Sequence, residues 1–268
     1  MNKNLYLKEL RRNRKNLMIW SGIVIGFTLM VLSIFPFMKE MGEDMAALIQ
    51  SMPAELSKAM GMDAETWKNI MGFYSTYYGI YIIVLVSIFT TSTATGIISK
   101  EEKDGTSEFL LTKPISRGTV VKSKLAALYT LALIIYTIQT IVAVIGVLTF
   151  GEGSVDWGAF YTLHFGGFIL VMFFTAIGVI LSMYLKPKKN FMGIVVGLTF
   201  GMYFLEAISK ATDATHWIGY ISPFHYLDFN VSGGDYEINY ISGIVLLALG
   251  SAALYWSNKV YLKKDIAG

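Results

Sequence analysis

Carboxylates and histidines are the residues of this sequence that could carry chemistry. Glu101 and Glu102 form a pair at the start of the segment EEKDGTSEFLLTKPISR. His164, His216 and His225 lie in different segments and lack the i, i+4 spacing that puts two metal ligands on one helical face. The sequence has no cysteine and so no thiolate ligand. We therefore expect no metal site and interpret the histidines as packing or interfacial residues.

Nucleotide chemistry needs a different signature, a phosphate-cradling loop of the form GxxxxGK[ST]. Neither Gly-Lys-Ser nor Gly-Lys-Thr occurs in the sequence. We therefore expect no cofactor in this chain and no hydrolysis of ATP by that chemistry.

The elements that must position these residues are membrane helices. Hydrophobic residues make up 54% of the chain and charged residues 15%, whereas soluble domains average about a quarter charged. An apolar helix of about 20 residues crosses the hydrocarbon core of a bilayer. The sequence predicts an all-α integral membrane protein, one domain over residues 1–268, with six spans. They are residues 17–37, 70–99, 125–151, 157–185, 191–208 and 238–258.

The fifth predicted span is short. Its uncharged part covers residues 191–205, about 22 Å of helix, so either Glu206 lies at membrane depth or the chain turns back early. Lys210 follows Glu206 by four residues, which puts both on one helical face. We expect an interfacial ion pair in preference to a ligand contact, and a re-entrant segment before the last span.

Charge assigns the two sides of the membrane. The two termini and the loops at 100–124 and 186–190 hold 18 basic and 6 acidic residues, and the other three connections hold 4 basic and 13 acidic. The two sets alternate along the chain, so the basic set, with both termini, is predicted to be cytoplasmic. Anionic lipids account for this basic face, and no nucleic acid is expected as a partner.

Two basic segments of the cytoplasmic face have apolar residues of their own. The tail NKNLYLKELRRNRKN could form an amphipathic elbow helix on the membrane surface or remain a disordered basic tail. In the loop, Phe109, Leu110 and Leu111 form an apolar knob that Pro114 ends, and Ser116 could cap the following helix. The knob could dock another protein or lie back on the membrane.

The pattern SKEEKDGTSEFLLTKPISRGTVVKSKL resembles the cytoplasmic loop of membrane subunits of type-2 ATP-binding-cassette (ABC) exporters. The basic N-terminal segment, the six spans and ISPFHYL before the last span are similar to that family as well. The resemblance implies a coupling helix that inserts into an ATPase subunit. The implied coupling residues are Glu101, Glu102, Gly105, Thr106, Glu108, Phe109, Leu110, Leu111, Pro114 and Arg117.

The resemblance also implies partners. A family exporter pairs two membrane halves with two cytoplasmic ATPases, so ATP and Mg²⁺ are expected in the ATPase partner and a second permease chain, identical or homologous, beside this one. Gly193, Gly197 and Gly201 repeat every four residues and could mark that helix contact or packing within one chain.

The second span is the candidate translocation path. One end is aromatic and the other carries hydroxyls, which could line a polar path or bond their own helix backbone. The resemblance to exporter subunits favours the first alternative, in which this span lines the path. Its candidate residues are Tyr77, Tyr81, Ser87, Thr91, Thr95 and Glu206.

The leading hypothesis is the permease subunit of an exporter in a bacterial cytoplasmic membrane, with an amphipathic small molecule, peptide antibiotic or lipid as substrate. The alternative is a non-transporting scaffold or regulatory subunit that recruits a partner through the same loop. An intramembrane protease is less favoured, because such enzymes need Glu-Glu-x-x-x-Arg and Thr106 stands in place of the arginine.

Overall fold

The computed structural model describes residues 1–59, 69–103, 115–151, 153, 155–185, 191–229, 231 and 236–263. Within these ranges every regular element is helical. The α-helices are α1 (Lys3–Glu40), α2 (Gly42–Ser51), α3 (Ala54–Ala59), α4 (Ile70–Tyr77), α5 (Ile83–Lys103), α6 (Arg117–Phe150), α7 (Trp157–Tyr184), α8 (Met192–Ala211) and α9 (Tyr240–Lys263). A π-helical turn, Tyr78–Ile82, joins α4 to α5, and two 3-10 helices, Asp213–Ile221 and Pro223–Tyr226, follow α8.

Six helical stretches in the described residues are long and apolar enough to cross a membrane, which confirms the predicted fold class and span number. We number them spans 1 to 6. They are Lys3–Glu40, Ile70–Ile97, Arg117–Phe150, Trp157–Tyr184, Met192–Ala211 and Tyr240–Leu262.

Side-chain caps fix where five of these spans begin. The capping side chains each accept a hydrogen bond from the backbone N–H three residues later, and they belong to Asn2, Asn69, Ser116, Asp156 and Asn239. Such a cap satisfies one of the amide groups that the first helical turn leaves without a partner. The predicted cap at Ser116 is thereby confirmed.

Span 1 is one helix from Lys3 to Glu40, so the basic tail and the first span form a single element. Its first turns pack on α6: the backbone N–H of Asn2 donates to Ser123 Oγ at 2.7 Å, and the hydroxyls of Tyr6 and Thr130 lie 3.1 Å apart. An elbow on the membrane surface stays a prediction.

Span 2, made of α4, the π-helical turn and α5, is the most buried of the six spans. It packs mainly on α7, and α1 packs mainly on α6. The π-helical turn lies beside the chain that follows α8, because Gly79 leaves room for Phe229, whose Cβ would lie 2.9 Å from a Cβ at that position. Span 2 is therefore largely enclosed by the other spans and by the chain that follows α8.

After α8 the chain turns back along the same helix. Ser209 Oγ donates to the carbonyl of His216 at 3.0 Å, and Ser222 Oγ donates to the carbonyl of Met202 at 2.7 Å. Met202 lies nine residues before the end of α8, so the return covers about 14 Å of helix. This path is the one expected of a re-entrant segment.

Candidate functional site

A cavity of about 550 Å³ lies between the aromatic half of span 2 and α8. Tyr77 and Tyr81 line one side, and their rings stack with centroids 6.1 Å apart. Phe200, Tyr203 and Phe204 of α8 line the other side. A concave, mostly apolar site with a few polar groups is the usual form of a small-molecule site, and the polar groups of this one are tyrosine and threonine hydroxyls. Two of the predicted path residues thus face this cavity.

The hydroxyl half of span 2 has a different environment. Thr91 Oγ1 donates to the carbonyl of Phe174 at 3.0 Å, and Thr95 Oγ1 donates to the carbonyls of Thr91, at 2.9 Å, and Gly178, at 3.2 Å. Ser87 Oγ is buried with no hydrogen-bond partner in the described part of the chain. Thr91 and Thr95 therefore lie in the contact between α5 and α7, and none of these three predicted path residues is among the residues that line the cavity.

Gly178 makes that contact close. A Cβ at this position would lie 2.5 Å from the carbonyl oxygen of Thr91 and 2.7 Å from the Cβ of Ala94. Because the neighbouring atoms belong to the backbone and a Cβ, they cannot turn aside as a flexible side chain can. Only glycine at position 178 of α7 lets α5 approach to this distance.

Glu206, the remaining predicted path residue, is buried in a polar cluster at the end of α8. Its Oε1 lies 3.4 Å from Lys210 Nζ, so the expected ion pair is present. Lys210 also lies 3.3 Å from Asp228 Oδ1. The other carboxylate oxygen of Glu206 lies 2.9 Å from His225 Nδ1. The cluster joins α8 to the returning chain, which sequence reasoning did not foresee because His225 is 19 residues from Glu206.

The segment before span 6 adds an uncharged contact to this cluster. Tyr236 donates from its hydroxyl to the backbone carbonyl of Asp228. Burial, and then the charge of Asp228, raises the pKa of the Tyr236 phenol, so the group remains a hydrogen-bond donor throughout the physiological range.

Inside the bundle lies a network of buried polar side chains that the sequence did not predict. His164 Nδ1 lies 2.9 Å from the carbonyl of Phe160, which can only accept, so Nδ1 carries the hydrogen. In the neutral ring Nε2 then accepts from the hydroxyl of Tyr74, 3.2 Å away, and the Tyr74 oxygen accepts from Gln139 Nε2 at 2.8 Å. The predicted packing role of His164 thus includes cross-linking spans 2 and 4.

A second hydrogen-bonded pair extends this network toward the π-helical turn. The hydroxyls of Tyr78 and Tyr136 lie 2.7 Å apart, and the Tyr136 hydroxyl donates to the backbone carbonyl of His164. Gly167 of α7 leaves room for the pair, because a Cβ there would overlap the Tyr78 hydroxyl. Spans 2, 3 and 4 are joined here through side chains.

The glycine stripe of α8 faces away from the chain. A Cβ at Gly193, Gly197 or Gly201 would have no described atom within 4 Å. Gly22 and Gly26 of α1 are open in the same way. The stripe therefore does not serve packing among the described residues, and its contact with a second chain stays a prediction.

The predicted coupling residues fall mostly outside the described residues. This holds for Gly105, Thr106, Glu108, Phe109, Leu110, Leu111 and Pro114 and for the side chains of Glu101 and Glu102. Arg117 is the first residue of α6. The buried Lys124 donates from Nζ to the carbonyl of Ile97 at 2.6 Å. This bond joins the two helices, α5 and α6, that carry the loop.

Comparison with protein families gives one match that covers nearly the whole chain. Residues 3–258 match the family described as "ABC-2 family transporter protein". The chain belongs to the ABC-2 transporter family. Comparison with curated proteins returns no match. As an ABC-2 member with six apolar helices, the chain is a multi-pass membrane protein and the transmembrane subunit of an ABC transporter.

Membership in this family also indicates which subunit does the catalysis. An ABC-2 membrane subunit is not itself catalytic and works with ABC ATPase subunits. The candidate features for transport in this ABC-2 chain are the cavity, the helices that carry the loop, and the cluster that joins α8 to the returning chain.

Proposed function

We propose that this chain is the permease subunit of an ABC exporter and that the cavity between span 2 and α8 receives an amphipathic substrate. The observation that carries the proposal is the cavity itself, about 550 Å³ in volume, with the stacked rings of Tyr77 and Tyr81 on one wall. A volume of this size suits a drug-sized molecule or part of a peptide or lipid. Polymers are a poorer fit.

Energy comes from a separate ATPase that docks on the loop between α5 and α6. Lys124 supports this part of the proposal, since its bond to the carbonyl of Ile97 ties the two helices together at the base of the loop. A push on the loop then moves α5 and α6 together. The aromatic half of span 2, which continues α5 through the π-helical turn, moves with them.

A second permease chain packs on the open glycine face of α8. Small residues let two membrane helices approach closely, and Gly193, Gly197 and Gly201 have no described neighbour within 4 Å. In the assembled exporter, two permease chains and two ATPases alternate the access of the cavity between the two sides of a bacterial cytoplasmic membrane. The basic loops lie on the ATPase side.

Copurification and transport test the proposal together. The tagged chain is extracted in a mild detergent with its ATPase, reconstituted into liposomes, and assayed for ATP-dependent movement of an amphipathic dye. The test variant is Leu110→Asp combined with Leu111→Asp, and the matched control is Leu262→Asp, which changes an exposed apolar residue at the end of α9. We expect the test variant alone to lose the ATPase.

Two results would contradict the proposal in different ways. An ATPase that stays bound to the Leu110→Asp/Leu111→Asp variant would remove the docking role of the loop. An ATPase that binds the wild-type chain but drives no dye movement and shows no stimulation by dye would favour the scaffold or regulatory subunit instead.

A further inference from the structure

The described residues that line the cavity include none with a charged side chain. Tyr77, Tyr81 and Tyr203 contribute three phenol rings instead. The face of an aromatic ring carries partial negative charge and attracts cations, more strongly where water is excluded. A cavity without a basic side chain and with three such rings favours a positive ligand over a negative one.

The end of α8 adds a second source of negative potential. Ile208, Ala211 and Thr212 line the cavity, and Ala211 is the last residue of the helix. The final carbonyl groups of a helix give its C-terminal end the equivalent of about half a negative charge. A cation at this end of the cavity is therefore stabilised, and an anion is repelled.

Fixed charges near the cavity act in the same direction. Glu206 lies three residues from Tyr203 on the same helix and is buried, and the cluster that it forms with Lys210 and Asp228 has two carboxylates for one ammonium. The connections that contribute Leu56, Thr212 and Thr215 to the lining, residues 38–69 and 206–237, contain 11 acidic and 4 basic residues. Because surface potential steers charged ligands as they approach, this excess of carboxylates favours the approach of cations over that of anions.

We propose that the cavity selects hydrophobic cations: molecules with an apolar or aromatic body and a delocalised or shielded positive charge. This inference rests on the proposed function, since it assigns a charge class to the substrate of the same cavity. The apolar body fills the space between Phe200, Phe204 and Ile80, and the charge lies against the tyrosine rings near the end of α8. Anionic amphiphiles of the same shape are excluded.

Two probes of nearly equal shape and opposite charge test this selection. Tetraphenylphosphonium and tetraphenylborate both carry four phenyl rings around one central atom. Binding of each radiolabelled ion is measured by equilibrium dialysis against the purified chain in nanodiscs of zwitterionic lipid, and binding to empty nanodiscs is subtracted. We expect saturable binding of the phosphonium and no saturable binding of the borate.

Two variants locate the binding in the cavity. Tyr77→Leu combined with Tyr81→Leu keeps the wall apolar but removes two rings, and we expect phosphonium binding to weaken about tenfold. The control is Tyr161→Leu, which removes an exposed ring of α7 outside the cavity. Ala207→Lys places a positive charge in the lining, and we expect it to abolish phosphonium binding. Gel filtration and the melting temperature Tm show whether each variant is folded.

The outcomes separate this inference from the function on which it rests. Equal saturable binding of the two ions, or phosphonium binding that survives both the double tyrosine variant and Ala207→Lys, overturns the charge selection. Neither result touches the copurified ATPase, because the dialysis needs no ATPase and no transport. Conversely, a chain that binds phosphonium selectively but recruits no ATPase retains the site and loses the exporter function.

Discussion

The two halves of span 2 differ in how they use their polar side chains. In the aromatic half, Tyr77 and Tyr81 face the cavity. In the hydroxyl half, Thr91 and Thr95 donate hydrogen bonds to backbone carbonyls of α7, and Gly178 lets the two backbones meet. The hydroxyl half packs α5 against α7, whereas the aromatic half has one face on the cavity and another, with Tyr74 and Tyr78, hydrogen-bonded inside the bundle.

The difference shows that the polar side chains of one span can have two different environments. A small hydroxyl can be satisfied at a close helix contact, where it stabilises packing. A tyrosine carries an apolar ring with one polar tip, so it suits the wall of a cavity, or a buried hydrogen-bonded network such as that of Tyr78. Residue size and polarity together separate the two halves.

The largest expected effect comes from Gly178→Ala. The added Cβ would lie 2.5 Å from the backbone oxygen of Thr91, so α5 and α7 must move apart. We expect the free energy of unfolding to fall by about 3 kcal/mol, the upper part of the range for overpacking. The matched control is Gly250→Ala, also at a contact with α7, where a Cβ would have its nearest neighbours at an ordinary 3.8 Å. A variant Tm equal to that of the control would mean that the contact is not close.

Gly167→Ala makes the corresponding test in the aromatic half. Here the added Cβ meets the hydroxyl end of the Tyr78 side chain, and no backbone atom is among its nearest neighbours. We expect a loss of about 2 kcal/mol in the free energy of unfolding. The variant Tyr78→Phe removes the overlapping oxygen. The double variant is therefore expected to lose less free energy of unfolding than the two single variants lose together. Strict additivity in thermal unfolding would show that the hydroxyl is not the obstacle.

The architecture follows from the sequence because charge and length act locally. Apolar runs long enough for the bilayer give the six spans, and the i, i+4 spacing gives the pair between Glu206 and Lys210. The return of the chain along α8 could be expected from the short uncharged part of the fifth span. Each of these expectations depends on residues close together in the chain.

The site is harder to predict, because its contacts join distant residues. Thr91 and Phe174 are 83 residues apart, and Tyr74 and His164 are 90 apart. Span 2 is buried on most of its surface, so hydrophobic periodicity does not reveal which face meets α7 and which meets the cavity. Tyr203 gave no signal of its own, although its place one turn before Glu206 could have suggested it.

Thr91→Val sharpens the comparison with a smaller effect. The change removes the hydrogen bond to the carbonyl of Phe174 and keeps the branched shape of the side chain. Hydrogen bonds between membrane helices average about 0.6 kcal/mol, and we expect a loss of this size in the free energy of unfolding. Transport should be unchanged, with Thr175→Val as control because its hydroxyl bonds within its own helix. Loss of transport at unchanged stability would support the predicted path role of the hydroxyl half.

The smallest expected effect concerns the polar cluster at the end of α8. Glu206 and Lys210 form an i, i+4 pair with the lysine partly exposed, and such pairs contribute about 0.5 kcal/mol. A double-mutant cycle with Glu206→Ala and Lys210→Ala, followed by thermal unfolding, should give a coupling of this size. Glu206→Ala alone should cost more than Lys210→Ala, because it also leaves His225 without its carboxylate partner.

Phosphonium binding by the same variants shows whether the polar cluster also acts on the ligand. If Glu206 supports the cation through space, Glu206→Ala weakens binding more than it weakens folding, and Lys210→Ala strengthens binding because a competing positive charge is gone. If the pair only joins α8 to the returning chain, binding changes in proportion to stability in both variants. The sign of the Lys210→Ala effect on binding therefore distinguishes an electrostatic effect of the pair on the ligand from a purely structural role.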